Sequence, residues 1–210
     1  MPINLKLKKI FKNLNMIMFL VFLILSLNVN LYADEIIEYT AISMKEKYDI
    51  TWTISNIENN KTQLVVSHHD QTYTSELLNG NTVSLQHYDD DQDRRLMTIN
   101  RFKNQFKLKY FKGKKVKKKS LKLLNMNWFQ YPGYSLKEFI LSKKKKINFC
   151  RYDFTNNGVI QLMATKTGTD RFKINGKMID VILVKIHPPG VLTLFWSTYM
   201  WFDASTGRMV

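Results

Sequence analysis

Apolar and polar side chains alternate with a period of two along most of this chain, the pattern of strands whose two faces meet different surroundings. In residues 48–55, Tyr48, Ile50, Trp52 and Ile54 share one face and Asp49, Thr51, Thr53 and Ser55 the other. That predicts a strand buried on one side and wet on the other. Residues 62–69 predict a second strand after the turn-like ENNK. Residues 73–78 and 83–88 predict a hairpin about Asn79 and Gly80, a strong two-residue turn signal. Residues 96–102 and 106–111 form a further expected pair, with Phe106, Leu108 and Tyr110 alternating against Lys107 and Lys109.

The period changes once. Ser135 followed three residues later by Glu138 has the form of a capping box, and SLKEFILS continues from it as a short helix. So short a helix needs packing to hold it. Strands then return: residues 147–154 and 159–165 about Asn157 and Gly158, residues 171–174 and 177–187 about Asn175 and Gly176, and residues 191–202 after Pro188, Pro189 and Gly190. The turns are short, so neighbours should pair antiparallel. The expected fold is mainly β, a curved antiparallel meander of about nine to eleven strands, or a partly closed barrel, with one short helix.

Two of these strands break the alternation. In residues 177–187 Met178, Ile182, Val184 and Ile186 occupy one face, and Ile179, Val181 and Leu183 the other. In residues 191–202 both faces are again apolar and aromatic. A strand apolar on both sides is covered on both sides or lines a cavity. The concave side of a curled sheet can hold the helix, a hydrophobic ligand or both. If a ligand is held, Trp52, Phe195, Trp196, Tyr199 and Trp201 are the candidate lining residues.

The N-terminus follows a different logic. Lys6, Lys8, Lys9 and Lys12 precede the apolar run MIMFLVFLILSL, and NVNLYA leads into Asp34 and Glu35. This is the order of a secretion signal, with Leu31 and Ala33 at the −3 and −1 positions. The apolar run is shorter than the roughly 20 residues of a bilayer-spanning helix, which favours a cleaved signal over a retained anchor. Residues 1–33 are therefore expected to be a signal peptide and residues 34–210 a single exported β-rich domain, periplasmic in a Gram-negative cell and otherwise extracellular. The single cysteine, Cys150, cannot form an intrachain disulfide, so burial alone must hold the fold. Thirteen Phe, ten Tyr and four Trp supply the means.

The chain is strongly basic, with 32 basic and 17 acidic residues. Its lysines cluster in residues 101–122 and 143–146, in runs that read as a hairpin tip and a helix exit. Export argues against nucleic acid as the partner. The alternatives are plain solvated charge or attraction to an anionic membrane face or acidic partner, with Lys114, Lys115, Lys117, Lys118 and Lys119 as candidates. Asp89, Asp90, Asp91 and Asp93 lack the Gly and Glu of a calcium loop and read as a solvated turn. His68 and His69 are adjacent on a strand and face opposite ways, so they are poorly placed to share a metal. Cys150 reads as a small core residue. No nucleophile elbow, zinc-protease motif or phosphate loop occurs. A non-enzymatic protein without metal or cofactor is the expectation.

The stretches WFQYPGYSLKEFILS, INGKMIDVILVKIH and GVLTLFWSTYMWFDASTGRMV carry a resemblance over about residues 128–210. Together they resemble bacterial exported proteins of the type catalogued as domain of unknown function 3108, which pair a signal peptide with a β-rich body and end in an aromatic W-F-D-x-x-T-G-R turn. The resemblance implies structural roles for Gly176, Gly207, Trp196 and Trp201, and no activity. A looser likeness, at the level of fold, is to periplasmic lipoprotein carriers, which wrap a curved sheet around a helix and hold acyl chains. It implies an envelope protein binding a lipid, acyl chain or other hydrophobic partner.

Overall fold

Left-handed residues at the strand junctions explain most of the chain's topology. Asn79 (φ 50°) with Gly80 (φ 72°), and Asn175 (φ 50°) with Gly176 (φ 80°), close two-residue hairpins. His69 and Lys103 take the same region at turns that the sequence does not advertise. The computed structural model describes residues 35–42, 47–57, 60–91, 94–112, 115–123, 125–190 and 196–210. The predicted signal, Lys114, Phe195 and the first part of the predicted last strand lie outside them.

Among the described residues the structure is mainly β, with two sheets and one short helical segment, and it is not closed into a barrel. The first sheet is an eight-stranded antiparallel meander in chain order: β1 (Glu35–Ile42), β2 (Lys47–Asn56), β3 (Lys61–His68), β4 (Gln71–Leu78), β5 (Asn81–Asp89), β6 (Arg94–Phe102), β7 (Gln105–Lys112) and β8 (Lys115–Lys122). The second has the order β13-β12-β11-β10-β9. It is built from β9 (Asn127–Trp128), β10 (Lys146–Asp153), β11 (Gly158–Ile174), β12 (Lys177–His187) and β13 (Thr198–Asp203), with β9 alone running parallel to its neighbour. Bulges between Glu76 and Leu77, His87 and Tyr88, and Lys166 and Gly168 interrupt the ladders, where an extra residue bends the strand and raises its twist.

Three local expectations need correction. The lysine-rich residues 115–122 form an edge strand rather than a hairpin tip, in full register with β7 from Lys112↔Lys115 to Gln105↔Lys122. An edge strand pairs on one side only and can leave nearly every side chain in water, so a lysine run is tolerated there. Residues 159–165 and 171–174 belong to one 17-residue strand, β11. Its polar middle imitates a loop, yet β12 supplies a continuous partner and the bulge at Gly168 absorbs the mismatch. The helical segment starts at Pro132, as α1 (Pro132–Ser135), and resumes after Leu136 as α2 (Lys137–Leu141). Proline's fixed φ and missing N–H suit the first helical turn, so the start moves upstream and Ser135 makes no cap hydrogen bond.

Three apolar clusters hold these elements together. Phe139 and Ile140 of α2 cover Phe149, Leu162, Val184 and Phe202 of the second sheet. Ile54, Leu64, Val66 and Leu77 pack near Tyr131 and Tyr134 at the start of the helix. Leu85, Ile99, Phe106 and Leu108 of the first sheet meet Trp128, Cys150 and Tyr152 of the second, with the Phe106 and Trp128 rings 4.3 Å apart. Full burial of each such side chain contributes roughly 1.5–3 kcal/mol. One buried amide stitches this junction. Gln130 Oε1 accepts from the Trp128 indole (2.9 Å) and from the Tyr152 backbone N–H (3.0 Å), while Gln130 Nε2 donates to the Tyr152 carbonyl. The Gln130 backbone N–H donates to Thr82 Oγ1 of β5.

Candidate ligand cleft

A cavity of about 650 Å³ opens between the start of the first sheet and the β11–β12 hairpin of the second. Ile37 of β1 and Trp52 and Ile54 of β2 supply apolar wall, since alternation sends the odd residues of β1 and even residues of β2 to the same face. Ile174 and Ile179, from the hairpin, and Met209 complete that wall. Gly133 forms part of the helical side: a Cβ there would lie 2.8 Å from Met209 Sδ and 3.1 Å from the Trp52 ring, so its absence lets both side chains approach the helix. Trp52 also meets Tyr131 edge to face at 5.8 Å.

The polar groups of the cleft gather on its helical and C-terminal sides. Lys137, Lys177 and Arg208 line it together with Glu35 and Asp203. Arg208 Nη1 pairs with Glu35 Oε1 at 2.6 Å and so ties the C-terminal turn to β1. The pair is substantially exposed, and such contacts contribute little to stability. Asp203 anchors the turn, accepting from the Ser205 hydroxyl and from the backbone N–H groups of Ser205 and Thr206. These hydrogen bonds hold its carboxyl below the ordinary value. Gly207, at φ 70°, closes the turn against the helix. A Cβ on it would meet the Lys137 carbonyl at 2.8 Å.

Of the described aromatic residues singled out from sequence, Trp52 alone lines this cleft. Trp196 and Tyr199 are exposed, at 44% and 55%. Trp201 is half-buried and packs on Phe172, ring centroids 4.8 Å apart. Register places Phe172, Ile179, Leu183 and Trp201 on one face of the second sheet, so Trp201 neighbours the cleft wall without forming it. The double apolar character of β12 has a physical cause. Val184 and Ile186 face the helix-covered core, while Val181 on the opposite face is also fully buried.

The lysines divide as β8 alternates. Lys118 shares a face with Lys107 and Lys109, and Lys109 stands directly opposite it. Phe102, Phe111 and Val116 occupy that same face and are about half exposed. Lys107 Nζ lies 4.3 Å from the Phe102 ring centroid. Lys115, Lys117 and Lys119 fall on the other side of the strand, where Lys119 donates to the Asn157 carbonyl at 3.1 Å. The cations of β7 were visible in the sequence as alternation, but their partnership with Lys118 depends on register.

The remaining candidates separate clearly. His68, Tyr73 and His87 stack in series, Tyr73 on His87 at 4.3 Å. Burial lowers the His87 pKa, His68 adds to that, and Asp89 and Asp90 oppose it. His87 also hydrogen-bonds Gln71. His187 lies apart, with Nδ1 near the Pro188 carbonyl in the second sheet. Among the described residues no group of three or more His, Cys, Asp or Glu is arranged to hold a metal ion, and none of the four histidines lines either cavity described here. Cys150 is buried in the sheet junction, and burial pushes its thiol up to about 11. No helix among the described residues is long and apolar enough to cross a membrane. In comparisons with known proteins, no family model, curated protein or solved structure matches this chain.

Proposed function

We propose that the chain is an exported, non-enzymatic binding protein of the cell envelope, whose cleft receives a lipid, an acyl chain or another hydrophobic partner. The observation that carries this is the cleft itself. Some 650 Å³ lies against Ile37, Trp52, Ile54, Ile179 and Met209, with Lys137, Lys177 and Arg208 among its polar walls. An acyl chain is satisfied by the first set, and an anionic headgroup by the second. The basic and apolar N-terminal segment supports export. The resemblance of residues 128–210 to the exported proteins of domain of unknown function 3108 supports an envelope setting. Native mass spectrometry of the chain taken from its own cells should show a bound species of lipid mass. Purified protein should take up oleate, and Trp52→Arg should lose it. Ligand-free protein that takes up no oleate overturns the proposal.

The exposed face of β6, β7 and β8 favours a second role, docking to an anionic bilayer. Lys107, Lys109 and Lys118 stand among Phe102, Phe111 and Val116, a combination that offers charge to headgroups and apolar surface to the interface. Each lysine near such a surface contributes about 1 kcal/mol. Cosedimentation with phosphatidylglycerol vesicles should fall as salt rises, and should fall further in a Lys107, Lys109, Lys118→Glu variant. Binding indifferent to salt and lipid charge excludes the role.

A further inference from the structure

Three cations, Lys137, Lys177 and Arg208, line the cleft against two acids, Glu35 and Asp203. Most of this charge is met within the protein. Arg208 pairs with Glu35 at 2.6 Å, and Asp203 accepts from the hydroxyl and the backbone N–H of Ser205. Two neutral groups of the cleft are engaged as well: the Tyr134 hydroxyl donates to Thr62 Oγ1, and Asn56 Oδ1 accepts from Thr62. Lys137 and Lys177 differ. Among the described residues no carboxylate pairs with either, and both are exposed residues of the cleft wall. Lys137 runs beside Gly207: a Cβ on that glycine would meet Lys137 Cγ at 3.0 Å, so its absence leaves the lysine stem room along the C-terminal turn. A cation at the edge of an apolar cavity stays hydrated until an anion arrives with its own apolar tail. The pair then forms where water is partly excluded, and its attraction exceeds that at a free surface. Size fixes the tail. At about 30 Å³ per carbon, the share of a liquid water, a chain of roughly 17 carbons fills on the order of 500 Å³ and two chains about twice that. The 650 Å³ of the cleft takes one such chain and not two. A smaller cavity of about 240 Å³, beside the β4–β5 hairpin, takes neither.

We infer that the cleft selects a single-chain anionic amphiphile, of the class of a free fatty acid, with Lys137 and Lys177 as the residues that recognise its carboxylate. This rests on the reading of the cleft as a site for a hydrophobic ligand and adds headgroup charge and chain number to it. The test is equilibrium dialysis of the purified protein against radiolabelled oleate and oleyl alcohol, which share one tail and differ in headgroup charge, each kept below its aggregation limit. Oleate should bind about tenfold more tightly than the alcohol, and the gap should narrow as salt rises. Lys137→Gln combined with Lys177→Gln should bring oleate down to the affinity of the alcohol. Each single variant should give part of that loss, and the two carry the test if the double variant folds poorly. Protein recovered from dioleoyl phosphatidylglycerol vesicles at high salt should carry no diacyl lipid in native mass spectra. Equal binding of oleate and oleyl alcohol overturns the inference and leaves the hydrophobic cleft standing, whereas uptake of neither overturns both. A preference for oleate that survives replacement of both lysines, or a stoichiometric diacyl lipid, also overturns it.

Discussion

Gln130 is 1% exposed, and its amide works in both directions between the sheets. Replacing it by Leu keeps the volume but strands the Trp128 indole N–H and the Tyr152 backbone N–H. The expected loss is about 2–4 kcal/mol, read from urea denaturation as a lower midpoint with unchanged slope. Gly207 presents a backbone version of the same sensitivity. Gly207→Ala combines φ 70° with a 2.8 Å approach to the Lys137 carbonyl, and should cost about 1–3 kcal/mol. His87 contributes a pH dependence. Its folded pKa lies below the unfolded value of 6.5 because burial disfavours the imidazolium. The unfolded chain therefore binds the proton more readily, and stability rises with pH in this window. The contribution is fully present above about pH 6.5 and is lost as pH falls through the folded value. His87→Gln should flatten the acid limb of a plot of thermal midpoint against pH.

Among the elements, β8 is instructive because its lysines contradict its packing role. Lys109 faces Lys118 across the ladder, an arrangement that weakens pairing while discouraging addition of another strand at the open edge. Changing Lys117, Lys118 and Lys119 to Thr should raise β-propensity and remove that protection. The expected outcome is larger species in light scattering after size-exclusion chromatography, without a fall in thermal midpoint. The helix shows the converse. SLKEFILS is recognisable by its period, but Pro132 rather than Ser135 sets its start, and Phe139 and Ile140 hold it by burial.

For the whole molecule, the shared cluster of Leu85, Phe106, Trp128 and Tyr152 couples the sheets. Far-ultraviolet circular dichroism and tryptophan fluorescence should therefore report one coincident urea transition; two separated transitions would show that the sheets unfold independently. Alternation and turn residues already determined the β class, most hairpins and the short helix, because strand period and positive-φ turns are local properties of consecutive residues. They also marked Trp52 as apolar-faced and Cys150 as core. Tertiary structure alone decided that there are two sheets, that residues 115–122 are an edge, and that Trp52 meets Gly133, Ile179 and Met209 around one cleft. It likewise separated Tyr199 and Trp201 from that cleft and gathered Lys107, Lys109 and Lys118 on one face. The physical reason is that burial and register arise from partners distant in the chain: hydrophobicity says that a face must be covered, and only the packing says by what.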